Sequence, residues 1–320
     1  MGTSFKEATA VIPIDSHTYS ANFPQDWTIG SVPHGGFVTS VFLNVARAHF
    51  RTTLSKQDQP HTIILHLEFL RRTQTGPVVF KVHDAKLGRQ TSTIHITLTQ
   101  DGRTEVVGYI TNANMKTERG VSLPTDWSLH PAPDAVNVSK LQEDRDANWK
   151  EKKRMPYTAF RKATSKLRFY FPRHGQKSKS MADEWVCFKD GERFTDTAVG
   201  YLSDTWPQNV ERYEGKDLYA HDNSDEIDET RAEDAKGNHW FPTLVLNLDI
   251  KKPLPEEGVE WLFARVRSKK IDNGRFDIEV AILDEPGDLV ALSHHTCMVL
   301  SAERNLAQRT KSASGASSKL

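Results

Sequence analysis

The chain has 320 residues, in which 42 lysines and arginines balance 42 aspartates and glutamates. With no net charge there is no long-range field to draw in nucleic acid, and no apolar stretch approaches the ~20 residues of a spanning helix, so neither a nucleic-acid partner nor a membrane span is expected. The length suits two domains of ordinary size, and the two cysteines, Cys187 and Cys297, form no CxxC pair that would signal a disulfide framework or a structural zinc site.

Met1 to Ile14 carries no basic segment followed by an apolar core, so a secretory leader is not expected. Pro33-His34-Gly35-Gly36 is a turn that opens a helix. Val38, Val41, Phe42, Val45 and His49 recur at helical spacing as far as Phe50, and a largely buried helix follows from that pattern. Ile63, Leu65, Leu67 and Phe69 then alternate as a strand, Val78, Phe80 and Val82 follow a Gly-Pro turn, and Gly88-Arg89 opens a threonine-rich strand with Ile94, Ile96 and Leu98 on one face. An Asp101-Gly102 turn folds that strand back into Glu105 to Thr111.

The order repeats. An apolar helix around Ala198, Val199, Leu202 and Trp206 precedes the alternating Leu244, Leu246, Leu248 and Ile250. Trp261 to Arg267 comes next, then Phe276, Ile278, Val280 and Ile282 after Gly274-Arg275, and a strand from Leu289 to Leu300 closes the series. A helix followed by a meander in each half predicts a duplicated α+β fold, each sheet wrapping one helix and the two sheets joined edge to edge. The predicted organisation is an N-terminal domain over 1–115, a charged, proline-rich connector over 116–180 with a short helix near Lys140 to Arg154, and a C-terminal domain over 181–305. Within the last, the insertion 213–240 is too acidic and too poor in apolar residues to fold alone, and it is expected to be a mobile loop or lid. Residues 306–320 read as a flexible tail, and its final Ser318-Lys319-Leu320 predicts an import-receptor partner and a peroxisomal location.

At Trp27 to Gly36, Gly88-Arg89 and Tyr201 to Asp204 the chain resembles the acyl-CoA thioesterase II family and its fungal thioesterase-like relatives, over roughly Ile12 to Ala302. The resemblance implies a double hotdog fold and hydrolysis of an acyl-CoA substrate without a cofactor. It also implies a catalytic trio of aspartate on the second helix, threonine on the next strand and glutamine on the last strand. Asp204 matches the aspartate and Thr243, in Phe241-Pro242-Thr243-Leu244-Val245, matches the threonine; the glutamine falls on His295, a departure from the pattern, or on His294 if the register slips by one. In that scheme Asp204 holds and polarises a water, Thr243 fixes it, and His295 orients it or assists proton transfer. The amides of Gly35 and Gly36, at the positive end of a helix, meet the oxyanion.

Each residue also has a plainer reading. Asp204 lies off the apolar stripe of its helix, as a solvated residue would; Thr243 is ordinary strand-start chemistry; and His34 either contacts the thioester or caps the helix. Adjacent strand residues face opposite ways, so His294-His295 is not expected to hold a metal, and no metal is expected elsewhere. Arg71-Arg72 and Lys251-Lys252 end equivalent strands, as contacts for CoA phosphates or as solvated ends. Two rival functions stand beside hydrolysis. One is an acyl-CoA-binding protein without turnover, which the histidine in place of glutamine favours. The other is a hotdog enoyl-CoA hydratase or dehydratase, for which Asp204 and Asn209 are present but Arg212 stands where the histidine belongs. No G-x-S-x-G elbow or P-loop occurs. The two halves can pair within one chain, which makes a monomer feasible; the family assembles further, and the expectation is a homodimer.

Overall fold

The computed structural model describes residues 2–153, 155–206, 210–214 and 238–307. The N-terminal half consists of strand β1 (Thr18–Phe23), helix α1 (Gly35–Arg51) and strands β2 (His61–Phe69), β3 (Gly76–Lys86), β4 (Thr91–Gln100) and β5 (Arg103–Ala113). The C-terminal half adds β6 (Trp149–Glu151), β7 (Leu167–Pro172), β8 (Met181–Phe188), helix α2 (Ala198–Ser203), β9 (Thr243–Ile250), β10 (Leu262–Arg267), β11 (Arg275–Leu283) and β12 (Leu289–Met298). All these strands belong to one antiparallel 14-stranded sheet.

In that sheet β1, β3, β4, β5 and β2 run in the order that β8, β10, β11, β12 and β9 mirror, and the halves meet where β2 pairs with β9. At the junction Leu67 lies opposite Leu246 and Leu65 opposite Leu248. All are buried, so the apolar face of each strand fixes the register of the other. The strand order repeated about that junction is the edge-to-edge duplication expected from the sequence, in a double hotdog arrangement.

Helix α1 is buried on every side from Gly36 to Ala46, because its own sheet covers one face and α2 the other. The two helices approach closely where side chains are missing. A Cβ on Gly200 would stand 2.9 Å from Leu43 Cδ1, and one on Gly36 would stand 2.6 Å from the Tyr201 carbonyl oxygen. This contact brings the N-terminus of α1 to the C-terminal cap of α2, which is Asp204.

The connector expected over 116–180 is not one. Its second part supplies β6 and β7, and the helix expected near Lys140 to Arg154 is a single turn, Val138–Leu141, followed by strand. Leu167–Pro172 escaped a search for alternation because nearly all of it is buried. In β8, Asp183 and Glu184 give a buried strand a polar look. Arg265 on the neighbouring β10 neutralises Asp183 through paired contacts of 2.6 and 2.7 Å. Of the acidic insertion, only a turn at Glu211–Glu214 and the strand His239–Trp240 are seen; the expected lid and the tail with Ser318-Lys319-Leu320 lie outside the described residues. Among the described residues no helix is long and apolar enough to cross a membrane.

Candidate active site

A cavity of about 500 Å³ opens at the seam between the halves. The N-terminal half contributes His34, Gly35 and the end of β2 with Phe69 to Thr73. The C-terminal half contributes Asp204, Trp206 and the run from His239 through Thr243 to Leu244. The wall therefore carries Asp204, Thr243, His34 and Gly35 together, although they come from three places in the chain. Trp206 and Phe241 form its aromatic side, with ring centroids 5.7 Å apart, and both rest on Phe276.

Asp204 is turned inward by the ending of α2. Its backbone leaves helical geometry at φ −108° and ψ 7°, so a side chain that periodicity alone would send to solvent lies 7 % exposed in the seam. Thr243 reaches it through a break in the strand pattern. The pairing of β9 with β12 shifts register between Thr243 and Val245, so Thr243 points inward like Leu246, three residues on, and Leu244 is left exposed. A bulge of this kind re-aims one side chain without disturbing the rest of the strand. The Thr243 hydroxyl donates to Asp204 Oδ1 at 3.0 Å. Thr243 thus holds the carboxylate and keeps its own lone pairs as acceptors toward the cavity.

His295 lies on the same inward face of β12, fully buried behind Asp204 and outside the cavity wall. Its Nδ1 stands 3.3 Å from Asp204 Oδ1, and its Nε2 meets Ser293 Oγ at 2.8 Å. His295 thus faces Asp204 from behind the carboxylate instead of lining the cavity. The alternative register is excluded, since His294 faces outward and is exposed. Ser293, unanticipated from sequence although it sits two residues from His295 on the same strand face, completes a series of serine, histidine and aspartate. It does not line the cavity, so the series is not a nucleophile-bearing triad. Cys297, 3.6 Å from Thr243 Oγ1, is no nucleophile either, because burial pushes its thiol far above the usual range.

Burial alone would raise the pKa of Asp204. His295, His34 and the Thr243 hydroxyl outweigh it and hold the carboxyl below the ordinary aspartate value, so the cavity wall carries a buried carboxylate in its ionised form. The second oxygen, Oδ2, lies against the backbone of Gly35, where a Cβ would come within 2.5 Å of it. His34 caps α1: its Nδ1 accepts from the Phe37 amide at 3.3 Å, and the ring also bonds the Asp204 backbone, tying the two helix ends together. Desolvation lowers its pKa, against the pull of the Asp204 carboxylate, which raises it. The first intrahelical bond of α1 runs from Val38 to His34, and the Gly35 and Gly36 amides precede it; of the two glycines only Gly35 lines the cavity.

Arg71, Arg72, Arg161 and Arg304 also line the cavity, with Asp204 its single carboxylate among the described residues. Arg72 donates to the Arg304 and Asn305 carbonyls at 2.6 and 3.1 Å, which anchors the C-terminal helix Ala302–Leu306 at the rim. Lys251 and Lys252 are elsewhere, paired with Asp249 and with Asp284 and Asp288, so the expected equivalence of the two basic pairs does not extend to the cavity. Arg212 is buried and donates to the carbonyls of Ser178, Lys179 and Met181 at 3.0 to 3.1 Å, a role in structure rather than hydration chemistry; Asn209 lies outside the described residues.

Residues 133–299 match the model of the acyl-CoA thioesterase C-terminal domain, and residues 23–113 match that of the N-terminal domain. The thioesterase-like protein TwmA of Talaromyces wortmannii is 37% identical over 336 residues, covering 96% of this chain and 95% of its own. Among solved structures, a hot dog fold protein of unknown function from Alicyclobacillus acidocaldarius superposes with a TM-score of 0.70 at 15% identity, over 94% of this chain and 99% of its own. The acyl-CoA thioesterase II TesB2 of Mycobacterium marinum does so with a TM-score of 0.61 at 17% identity, over 93% and 98%.

Proposed function

The chain belongs to the acyl-CoA thioesterase family and is a thioester hydrolase, and from that premise we propose that it cleaves an acyl-CoA to the free acid and CoA by attack of a water that Asp204 activates. The observation that carries this reading is the ionised Asp204 carboxylate in the cavity wall, with one oxygen held by Thr243 and the other beside Gly35. A water accepted by Oδ2 and donating to the Thr243 oxygen loses a proton to Asp204 as it attacks. General-base help of this sort contributes ~10²–10⁴-fold. The Gly35 amide, at the positive end of α1, is the donor available to the developing oxyanion. Thiolate is a good leaving group, so no second acid of high strength is required.

The lining supports the substrate class. Phe69, Leu70, Trp206 and Phe241 offer an apolar surface for an acyl chain, and the arginines favour the phosphates of a CoA carrier. A reading as a binder without turnover gains little from the histidine at position 295, since that histidine still faces Asp204, where an amide would. Ser318-Lys319-Leu320 supports import into peroxisomes, which a fluorescent fusion with and without that tripeptide tests.

Thiol release measured across acyl-CoA chain lengths decides the main point. Wild type is expected to release CoA, and Asp204→Asn to lose ~10²–10⁴-fold in kcat with substrate binding retained. Release unchanged in the variant would remove Asp204 from the mechanism, and no release from wild type at any chain length would favour the binder.

A further inference from the structure

A second group of polar side chains lies at the opposite end of α1 and takes no part in the hydrolytic site. His49, in the last turn of the helix, Asp84 on β3 and His17, just before β1, place one ligand-capable atom each within 4.8 Å of one another. His49 Nε2 is 2.9 Å from Asp84 Oδ1 and His17 Nε2 is 3.3 Å from Asp84 Oδ2. The helical rise puts this group about 20 Å from His34 and the cavity.

The outer hydrogen bonds of the two imidazoles distinguish this group from a casual ion pair. His49 Nδ1 meets the buried Tyr19 hydroxyl at 3.1 Å, and His17 Nδ1 meets Ser16 Oγ at 2.8 Å. In the metal-free chain each Nε2–H donates to Asp84 and each Nδ1 accepts from its hydroxyl partner. Because a hydroxyl can also accept, either ring can move its proton to Nδ1 and free Nε2 for an ion, and an oxygen partner of that kind is the outer shell that metal-ligating histidines require. The positions are fixed by backbone. The His17 amide donates to Asp15 Oδ1 at 2.8 Å, and its carbonyl accepts from Val82 at 2.8 Å, on the strand that carries Asp84.

From this geometry we propose that His17, His49 and Asp84 form a binding site for a divalent transition metal of the zinc class, with water in the fourth position. A tetrahedral zinc with bonds of ~2.0–2.1 Å separates its ligand atoms by ~3.3 Å. The three side chains offer ligand atoms within 4.8 Å of one another, with the two imidazoles on different oxygens of Asp84, so a small turn of the carboxylate and of the exposed His17 ring closes the set around an ion. Two imidazoles and one carboxylate suit zinc better than magnesium or calcium, which take oxygen ligands. Access is open on one side, because the His17 side chain is 42% exposed and that of Asp84 23%, whereas His49 is fully buried. The bound ion ties the end of α1 to β3 and to the start of β1, so its effect is on stability, not on the hydrolytic step.

The test uses the full chain without an affinity tag, stripped of metal by a chelator and then loaded with zinc, and with cobalt as a spectroscopic substitute. Expected are one zinc retained per chain after gel filtration, a rise in Tm on loading, and the intense visible absorption of tetrahedral cobalt. In His17→Ala, which alters a surface residue, zinc affinity falls at least ~10-fold and the zinc-induced rise in Tm disappears, while thiol release is unchanged. Asp204→Asn keeps its zinc. Absence of retained zinc in wild type, a weak octahedral cobalt spectrum, or equal zinc affinity in wild type and His17→Ala would each overturn the site and leave three side chains joined by hydrogen bonds alone.

Discussion

Asp204 owes its low pKa to three neighbours, and each can be withdrawn singly. Thr243→Val keeps the shape of the side chain and removes the hydroxyl that donates to Oδ1, so burial gains ground and the carboxyl pKa rises. The acid limb of the pH–rate profile is then expected to move to higher pH, and the rate at neutral pH to drop ~10²-fold, as when one preorganised donor is lost. An unmoved acid limb would show that Thr243 does not hold the base. The same shift bears on stability. Because folding lowers the Asp204 pKa, the folded state binds fewer protons. Its contribution is complete above the unfolded value of about 3.9 and vanishes as pH falls through the lower, folded one. Position 295 separates chemistry from positioning. His295→Gln restores an amide facing Asp204 and is expected to keep activity within ~10-fold, whereas His295→Leu leaves the buried carboxylate without that partner and costs ~10²-fold or more in kcat with little change in KM. Equal activities of the two variants would reduce His295 to a packing residue.

Among the elements, the contact between the two helices does the most to build the site, and its glycines have separable duties. A methyl on Gly35 meets the Asp204 carboxylate at 2.5 Å, a side chain able to move aside at the expense of its alignment. A methyl on Gly36 meets the Tyr201 and Gly200 carbonyl oxygens at 2.6 and 2.9 Å, which cannot move without the helix. Gly35→Ala is accordingly expected to lose more than ~10-fold in thiol release with a modest change in Tm. Gly36→Ala is expected to destabilise by ~1–3 kcal/mol, measured by denaturant unfolding. The reverse pattern would mean that the helices separate more readily than their packing indicates. The same elements show what sequence could reveal. Alternation exposed β2 to β5, β9, β11 and β12, since each largely buries one face, and helical spacing exposed α1; β10, buried on both faces, was placed by its position in the repeated order. Alternation failed for β7, buried on both faces, and for β8, whose Asp183 is neutralised by an arginine 82 residues away. At the site, the resemblance pointed to Asp204 and Thr243, but periodicity placed Asp204 in solvent and gave no hint of the register shift that turns Thr243 inward. Both depend on where a helix ends and where a strand slips, which are local geometries that the spacing of apolar residues does not encode.

On the scale of the whole molecule, the active cavity exists only while the two halves are paired, because Gly35 belongs to one and Asp204 and Thr243 to the other. The pairing is more than a strand contact. A single apolar core runs from Val38, Val41 and Leu65 on one side to Ala198, Leu202 and Leu246 on the other without a polar layer between them. Separating the halves would expose both the Leu67–Leu246 and Leu65–Leu248 pairs and two edges of unpaired backbone, so a state with one half folded retains much of the cost of unfolding. Thermal unfolding is therefore expected as one cooperative calorimetric transition, and Leu67→Ala, which empties a fully buried position at the junction, to lower that transition as a unit by ~2–5 kcal/mol. Activity should disappear along the same curve, since no surviving half carries a complete site. Two resolved transitions, with Leu67→Ala moving only the one that reports the N-terminal half, would show that the halves fold separately and that the seam is a docked interface between independent domains.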